Sequence, residues 1–114
     1  MNSTEQGFFF ETLAKQYLEQ QGLSFVGRNI NGRFGELDLI MKDQAQLVFV
    51  EVKYRKSTAY GGPLAAVTAS KQQKLRLTAS AYLQQHAPKA FARFDVIAIT
   101  GTEPYQVEWL KNAF

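Results

Sequence analysis

The sequence predicts an α/β domain: a central mixed β-sheet flanked by helices. Three observations point there. The chain has 114 residues, close to the commonest size of a single domain. Hydrophobic residues make up 46%, with nine Phe and five Tyr, which is enough to build a core. The apolar periodicity runs in the order α-β-β-β-α-β-β, with helical spacing at residues 3–21 and 68–86 and strand-like runs between and after.

Each element has its own justification. Residues 3–21 read as a helix. Ser3 or Thr4 is the expected cap, and Gln6 lies three after Ser3, as in a capping box. Phe10, Leu13, Ala14, Tyr17 and Leu18 recur at three- and four-residue spacing and form its apolar stripe, and Gly22 stops it. Residues 23–29 are a short strand, followed by an Asn31-Gly32 turn. Residues 34–41 and 47–54 form a hairpin around a polar segment. The second helix, 68–86, turns Ala69, Leu75, Ala79, Tyr82 and Leu83 inward, and Pro88 lies just beyond it. Residues 94–100 (FDVIAIT) are a buried strand, and 106–110 an edge strand. No repeat, low-complexity tract or linker interrupts the chain, so residues 1–114 read as one domain.

Composition excludes much chemistry. There is no Cys and one His, so a thiol nucleophile, a disulfide scaffold, a zinc finger and a multi-His metal site are out. Carboxylates, Lys, Arg, Ser/Thr and Tyr remain, and any metal would be a hard cation held by oxygen. Thirteen basic against ten acidic residues give a net charge of +3, which permits a polyanionic partner without proving one. The N-terminus has no basic, apolar leader, and no segment is long enough to span a membrane, so a cytoplasmic location is expected.

One feature needs a chemical reason. The third strand, Leu47-Val48-Phe49-Val50-Glu51-Val52-Lys53-Tyr54, is apolar enough to be central, yet it holds Glu51 and Lys53 on one face. The second strand holds Asp38 among Leu and Ile. Such charges are costly unless paired or bound to metal. With Lys42 opposite Leu47, a four-residue loop at 43–46 puts Asp38 opposite Glu51 and Glu36 opposite Lys53. Glu–Lys is an ordinary pair. Opposed Asp and Glu repel, and a divalent cation between them would reverse the sign. The pattern alone leaves two readings open: ion pairing at a sheet end, or a carboxylate metal site.

These residues resemble the PD-(D/E)xK nuclease superfamily: Asp38 on one strand, then Glu51-Val52-Lys53 on the next. The longer run Gly35-Glu36-Leu37-Asp38-Leu39-Ile40, followed by Val48 to Arg55, resembles the YraN family, small bacterial proteins related to archaeal Holliday-junction resolvases. Glu11, Ala14, Tyr17-Leu18, Gly22, Arg28-Asn29, Gly61, Lys71 and Arg93-Phe94-Asp95-Val96 extend the likeness; Phe10 departs from it, standing where the family commonly has a small residue. The resemblance implies a restriction-endonuclease-like, resolvase-type fold. It implies a Mg²⁺-dependent (alternatively Mn²⁺-dependent) endonuclease acting on branched DNA in recombination or repair. Asp38 and Glu51 would be direct ligands, with the Val52 carbonyl a third. Glu11 would act through water or a second ion, and Lys53 would orient water or stabilise phosphate charge. A homodimer is implied, and a recombination helicase is a candidate partner. The alternative is a nucleic-acid-binding module that cuts nothing and serves such a helicase.

Arg28, Arg33, Arg55 and Lys56 flank the site in sequence, and Lys71 and Lys74 share a face at the start of the second helix. All six are expected phosphate contacts. Residues 57–62 read as a loop after the catalytic strand, without the P-loop pattern. Phe8, Phe9 and Phe10 read as core or dimer contacts, His86 as structural or exposed, and Asp95 and Trp109 as structural. Residues 101–114 carry no motif.

Overall fold

The computed structural model of the protein describes residues 1–57 and 67–114. Among these residues, two helices, α1 (Ser3–Gln20) and α2 (Ala69–His86), accompany five strands: β1 (Ser24–Gly32), β2 (Gly35–Asp43), β3 (Gln46–Arg55), β4 (Ala92–Thr100) and β5 (Gln106–Leu110). The strands form one sheet in the order β1-β2-β3-β4-β5. Only β3 and β4 run parallel, joined across α2; the other neighbours are antiparallel. This is the expected mixed sheet, with β3 at its centre. No helix among the described residues is long and apolar enough to cross a membrane.

Alternation along the strands gives the sheet two apolar faces. Leu39, Met41, Val48 and Val50 pack with Phe10, Ala14 and Leu18 of α1. Ile40, Leu47 and Phe49 pack with Leu75 and Ala79 of α2. The helices therefore lie on opposite faces. The stripe predicted for α1 is the one it buries. On α2, Leu75 and Ala79 are buried and Tyr82 and Leu83 pack beside them, but Ala69 is exposed, because it sits at the helix start beyond the sheet.

Three local expectations need correction. The cap of α1 is Asn2, whose side chain accepts from the Glu5 N–H at 2.8 Å and donates to the Glu5 carboxylate at 3.1 Å, so the reciprocal pair is Asn2–Glu5. The turn between β1 and β2 is Arg33-Phe34, since Gly32 pairs with Gly35 and Asn31 with Glu36. Gly35 takes φ +146°, which suits glycine, and a Cβ at Gly32 would lie 2.9 Å from the Thr78 methyl of α2. The hairpin loop is two residues, Gln44-Ala45, because Asp43 also pairs with Gln46. Its register is nevertheless the expected one, with Lys42 opposite Leu47. Thr58–Gly62, within the expected loop, lie outside the described residues.

The sheet forks. Pairing of β2 with β3 ends at Leu39–Val50. Beyond it β2 stays with β1 as far as Gly35, and β3 stays with β4 as far as Arg55. At the fork the outer arm also changes face. Leu39 packs towards α1, but Leu37, two residues earlier, and Ile30, its partner, pack towards α2. Asn29 lies between the paired residues Arg28 and Ile30 and takes φ +53°, a conformation Asn tolerates better than most residues. That local reversal turns the arm onto α2, where Thr78 meets Gly32.

The C-terminal segment is tied in by Asp95, which is fully buried. Its carboxylate accepts from Arg93 Nε at 3.0 Å, Trp109 Nε1 at 2.9 Å and the Asn112 N–H at 2.8 Å. Arg93 in turn donates to Asp43 and Gln46 at the hairpin end, each at 3.0 Å. The structural roles expected of Asp95 and Trp109 are those they play. Removing one member of a buried charged network strands the rest, so Asp95→Ala is expected to lower stability by about 3–5 kcal/mol in urea denaturation. Gly32→Val should cost about 1–3 kcal/mol by overpacking against Thr78, measured in the same way.

Candidate active site

The fork is where the two faces of the sheet meet. Where β2 leaves β3, the Val52 N–H donates instead to Asp38 Oδ2 at 3.0 Å. In a strand the N–H and C=O of one residue point to the same side, so the Val52 carbonyl also faces the opening. The α1 helix brings Glu11 from one face, and α2 brings Lys71 from the other. Glu11, Asp38, Glu51, Lys53 and Lys71 line one cavity of about 360 Å³. The four residues singled out as catalytic in the sequence thus converge.

Aromatic packing sets the position of Glu11. Phe10 is buried and stacks on Tyr54 of β3, with ring centroids 3.9 Å apart, and Tyr105 meets both edge-on. The Tyr54 hydroxyl donates to the Gly101 carbonyl at 2.7 Å. The bulky residue before Glu11 therefore anchors the helix to the sheet. Residues 101–114, which carry no motif, supply Tyr105 to this cluster.

Arg28 does something other than contact solvent. Its guanidinium donates to the Phe8 carbonyl at 3.0 Å, Thr12 Oγ1 at 3.0 Å and Glu11 Oε1 at 3.1 Å, and lies over the Phe8 ring. It is a clamp on α1, because β1 passes directly beneath that helix. The guanidinium expected to contact phosphate is thus engaged by the chain itself.

The carboxylates divide into two groups. Oxygens of Glu11, Glu36 and Asp38 lie within 4.8 Å of one another. Glu51, only 5% exposed, instead meets Lys71 at 2.6 Å and Lys53 at 3.4 Å, both through Oε1. Lys53 thus pairs with Glu51 and not, as expected, with Glu36, because the fork carries Glu36 away from β3. Glu36 is the residue that sequence reasoning missed. Its signal was present: it stands two from Asp38, the same spacing that singled out Glu51 and Lys53. An all-oxygen cluster of this kind suits a hard divalent cation.

Electrostatics follow from this crowding. Burial, then the facing Glu51, push Asp38 up to about 7; its bond from Val52 works against the rise. Burial and the neighbouring Lys71 lower Lys53. For Lys71 burial opposes the charge, but its bonds to Glu51 and Lys53 outweigh that and raise its pKa.

The remaining basic residues scatter. Lys74, Arg55 and Lys56 are exposed, the first on α2 and the others at the end of β3. Arg33 lies in the β1–β2 turn and lines a separate cavity with Thr78, Tyr82 and His86. Phe8 and Phe9 are exposed, unlike Phe10.

The sequence matches the family described as "Uncharacterised protein family UPF0102" over residues 10–99. The chain belongs to this family. Among its relatives is a UPF0102 protein of Shewanella sp. strain W3-18-1, 53% identical over 104 residues, covering 91% of this chain and 94% of that one. A UPF0102 protein of Colwellia psychrerythraea is 50% identical, covering 99% and 91%. The UPF0102 protein YraN of Escherichia coli O139:H28 is 47% identical, covering 100% and 87%. The resemblance to the YraN family is thereby confirmed. The matched region spans the fork and every candidate catalytic residue.

The raised Asp38 has a consequence for stability. Between about 3.8 and 7 the folded protein holds a proton that the unfolded chain has lost, so Asp38 costs stability as pH rises through that window. Without divalent cations at pH 8, Asp38→Asn is expected to be more stable than wild type by about 1–3 kcal/mol in urea denaturation. A less stable variant would contradict the raised pKa.

Proposed function

We propose that the protein is a Mg²⁺-dependent endonuclease hydrolysing phosphodiester bonds in branched DNA, with Mn²⁺ as an alternative ion. The observation that carries this reading is the convergence of Glu11, Asp38, Glu51 and Lys53 in one cavity at the fork. The acidic cluster beside Asp38 is the chemistry expected of a site for such an ion. Mg²⁺, when bound, supplies Lewis acidity and lowers the pKa of water.

The chain's own groups do the rest. Asp38 is the central ligand, since it belongs to the cluster with Glu11 and Glu36 and faces Glu51 across the opening. The Val52 carbonyl is a further donor. Lys53, with its pKa lowered, holds its proton less tightly than an ordinary lysine and stands where it can orient water or meet charge on the phosphate. Lys71 fixes Glu51. Lys74, Arg55 and Lys56 are the phosphate contacts, which position a nucleic acid without reading its sequence. A four-way junction has two strands to cut, so the working form is a homodimer. The role in recombination or repair rests on the family resemblance alone.

One observation favours a second reading, a binding module that cuts nothing and assists a recombination helicase. Glu51 is held by two lysines where the first reading wants a ligand.

A cleavage assay separates them. Labelled duplex, single strand, flap and four-way junction are incubated with Mg²⁺ or Mn²⁺. Wild type should cut a branched substrate, and Asp38→Asn and Lys53→Ala should each lose about 10²–10³-fold or more. Binding without cutting would select the module; cutting that survives Asp38→Asn would overturn the site. Protons compete with metal at Asp38, so activity at limiting Mg²⁺ should rise up to tenfold per pH unit below about 7 and level off above. Initial rates from pH 5.5 to 8.5 check this.

A further inference from the structure

Gly7 stands in the middle of the N-terminal half of α1, where glycine is the least favourable residue after proline. The fold offers no reason for it. Its φ lies outside the positive region that favours glycine, and a Cβ there would meet no atom within 4 Å beyond its chain neighbours and the helix's own backbone. Packing does not require a small residue, and the turn around it is regular helix.

The cavity offers the reason. Ser3, Gln6, Gly7, Phe10 and Glu11 follow one another at helical spacing and form one wall, with Glu51, Lys53 and Lys71 among the residues opposite. Gly7 lies one turn before Glu11, on the same side of the helix. A side chain at Gly7 would project into open space directly beside the acidic cluster and the lysines. Omitting it leaves the helix backbone itself as the surface, which lets another backbone approach closely.

We infer that Gly7 is a point of close approach for the sugar–phosphate backbone of the bound strand, and that the Ser3–Gly7 segment of α1 is one wall of the strand-binding groove. Ser3 and Gln6 flank that point with hydrogen-bonding side chains. The strand passes over the helix at Gly7 on its way to Asp38 and Lys53. This rests on the nuclease reading of the cavity and adds where the substrate lies.

The test uses size against helix propensity. Gly7→Ala and Gly7→Leu both favour the helix, and each should raise the Tm by about 2–6 °C. Binding of a fluorescein-labelled four-way junction is measured by anisotropy in the Lys53→Ala background, to limit turnover. KM and kcat are measured with Lys53 intact. Gly7→Ala should weaken junction binding about tenfold, Gly7→Leu a further tenfold or more, with KM rising more than kcat falls. A graded loss with a raised Tm supports the inference. Unchanged affinity in both variants, or an equal loss in both, would overturn it; an equal loss would point to lost flexibility in place of lost space. If the protein with Gly7 intact neither binds nor cuts the junction, the nuclease reading itself fails. If that protein binds and cuts while Gly7→Leu matches it, only this inference fails.

Discussion

Everything at the candidate site depends on β2 and β3 parting after Leu39–Val50. Continued pairing would place Asp38 directly across from Glu51 in a dry sheet, with no cavity and no route for a helix from either face. Although Glu51 still faces Asp38 closely enough to help raise its pKa, the fork takes the two out of direct pairing. It frees the Val52 N–H, which Asp38 then satisfies at 3.0 Å, so the break leaves no buried donor stranded there. It also opens the sheet to both layers at once, which is how Glu11 of α1 and Lys71 of α2 come to line one cavity.

Holding the fork open takes tertiary support on both arms. The β1–β2 arm reverses its face at Asn29 and leans on α2 through Leu37, Ile30 and the close approach of Gly32 to Thr78. The β3–β4 arm is continued by β5 and stacked under α1 through Phe10, Tyr54 and Tyr105. The buried Asp95 network fastens β4 to the C-terminal segment, and Arg93 reaches the far end of the β2–β3 hairpin. The closed end of the fork is therefore tied by a buried charged network. The open end is where charge accumulates.

That accumulation is a local conflict between stability and chemistry. Three carboxylates crowd one side, and two lysines share one oxygen of Glu51 on the other. Asp38 is pushed up to about 7 and Lys53 is lowered, both chiefly by burial, which disfavours the charged form of each. Opposed shifts in neighbouring groups recur at functional sites, and buried ion-pair networks produce them as well. Gly7, a weak helix residue facing the same cavity, belongs to the same pattern.

Much was readable in advance. Periodicity alone determined the element order and the centrality of β3, because alternation and helical spacing are local properties of the chain. The hairpin register followed from two apolar runs flanking one polar segment, and it held although the loop proved two residues long. Asp38, Glu51 and Lys53 stood out because charge inside apolar strands is costly wherever it occurs. What the tertiary structure alone decided was partnership. Glu36 joins Asp38 and Glu11, Arg28 clamps α1, Lys71 takes Glu51, and residues 101–114 supply Tyr105 and Trp109. Each of these depends on where strands diverge and which helix lies over them, and the positive φ of Asn29 accompanies the packing of Leu37 and Ile30 on the α2 side, which is distant in sequence. A one-dimensional pattern carries the face of each side chain within its own element; it does not carry where two elements part.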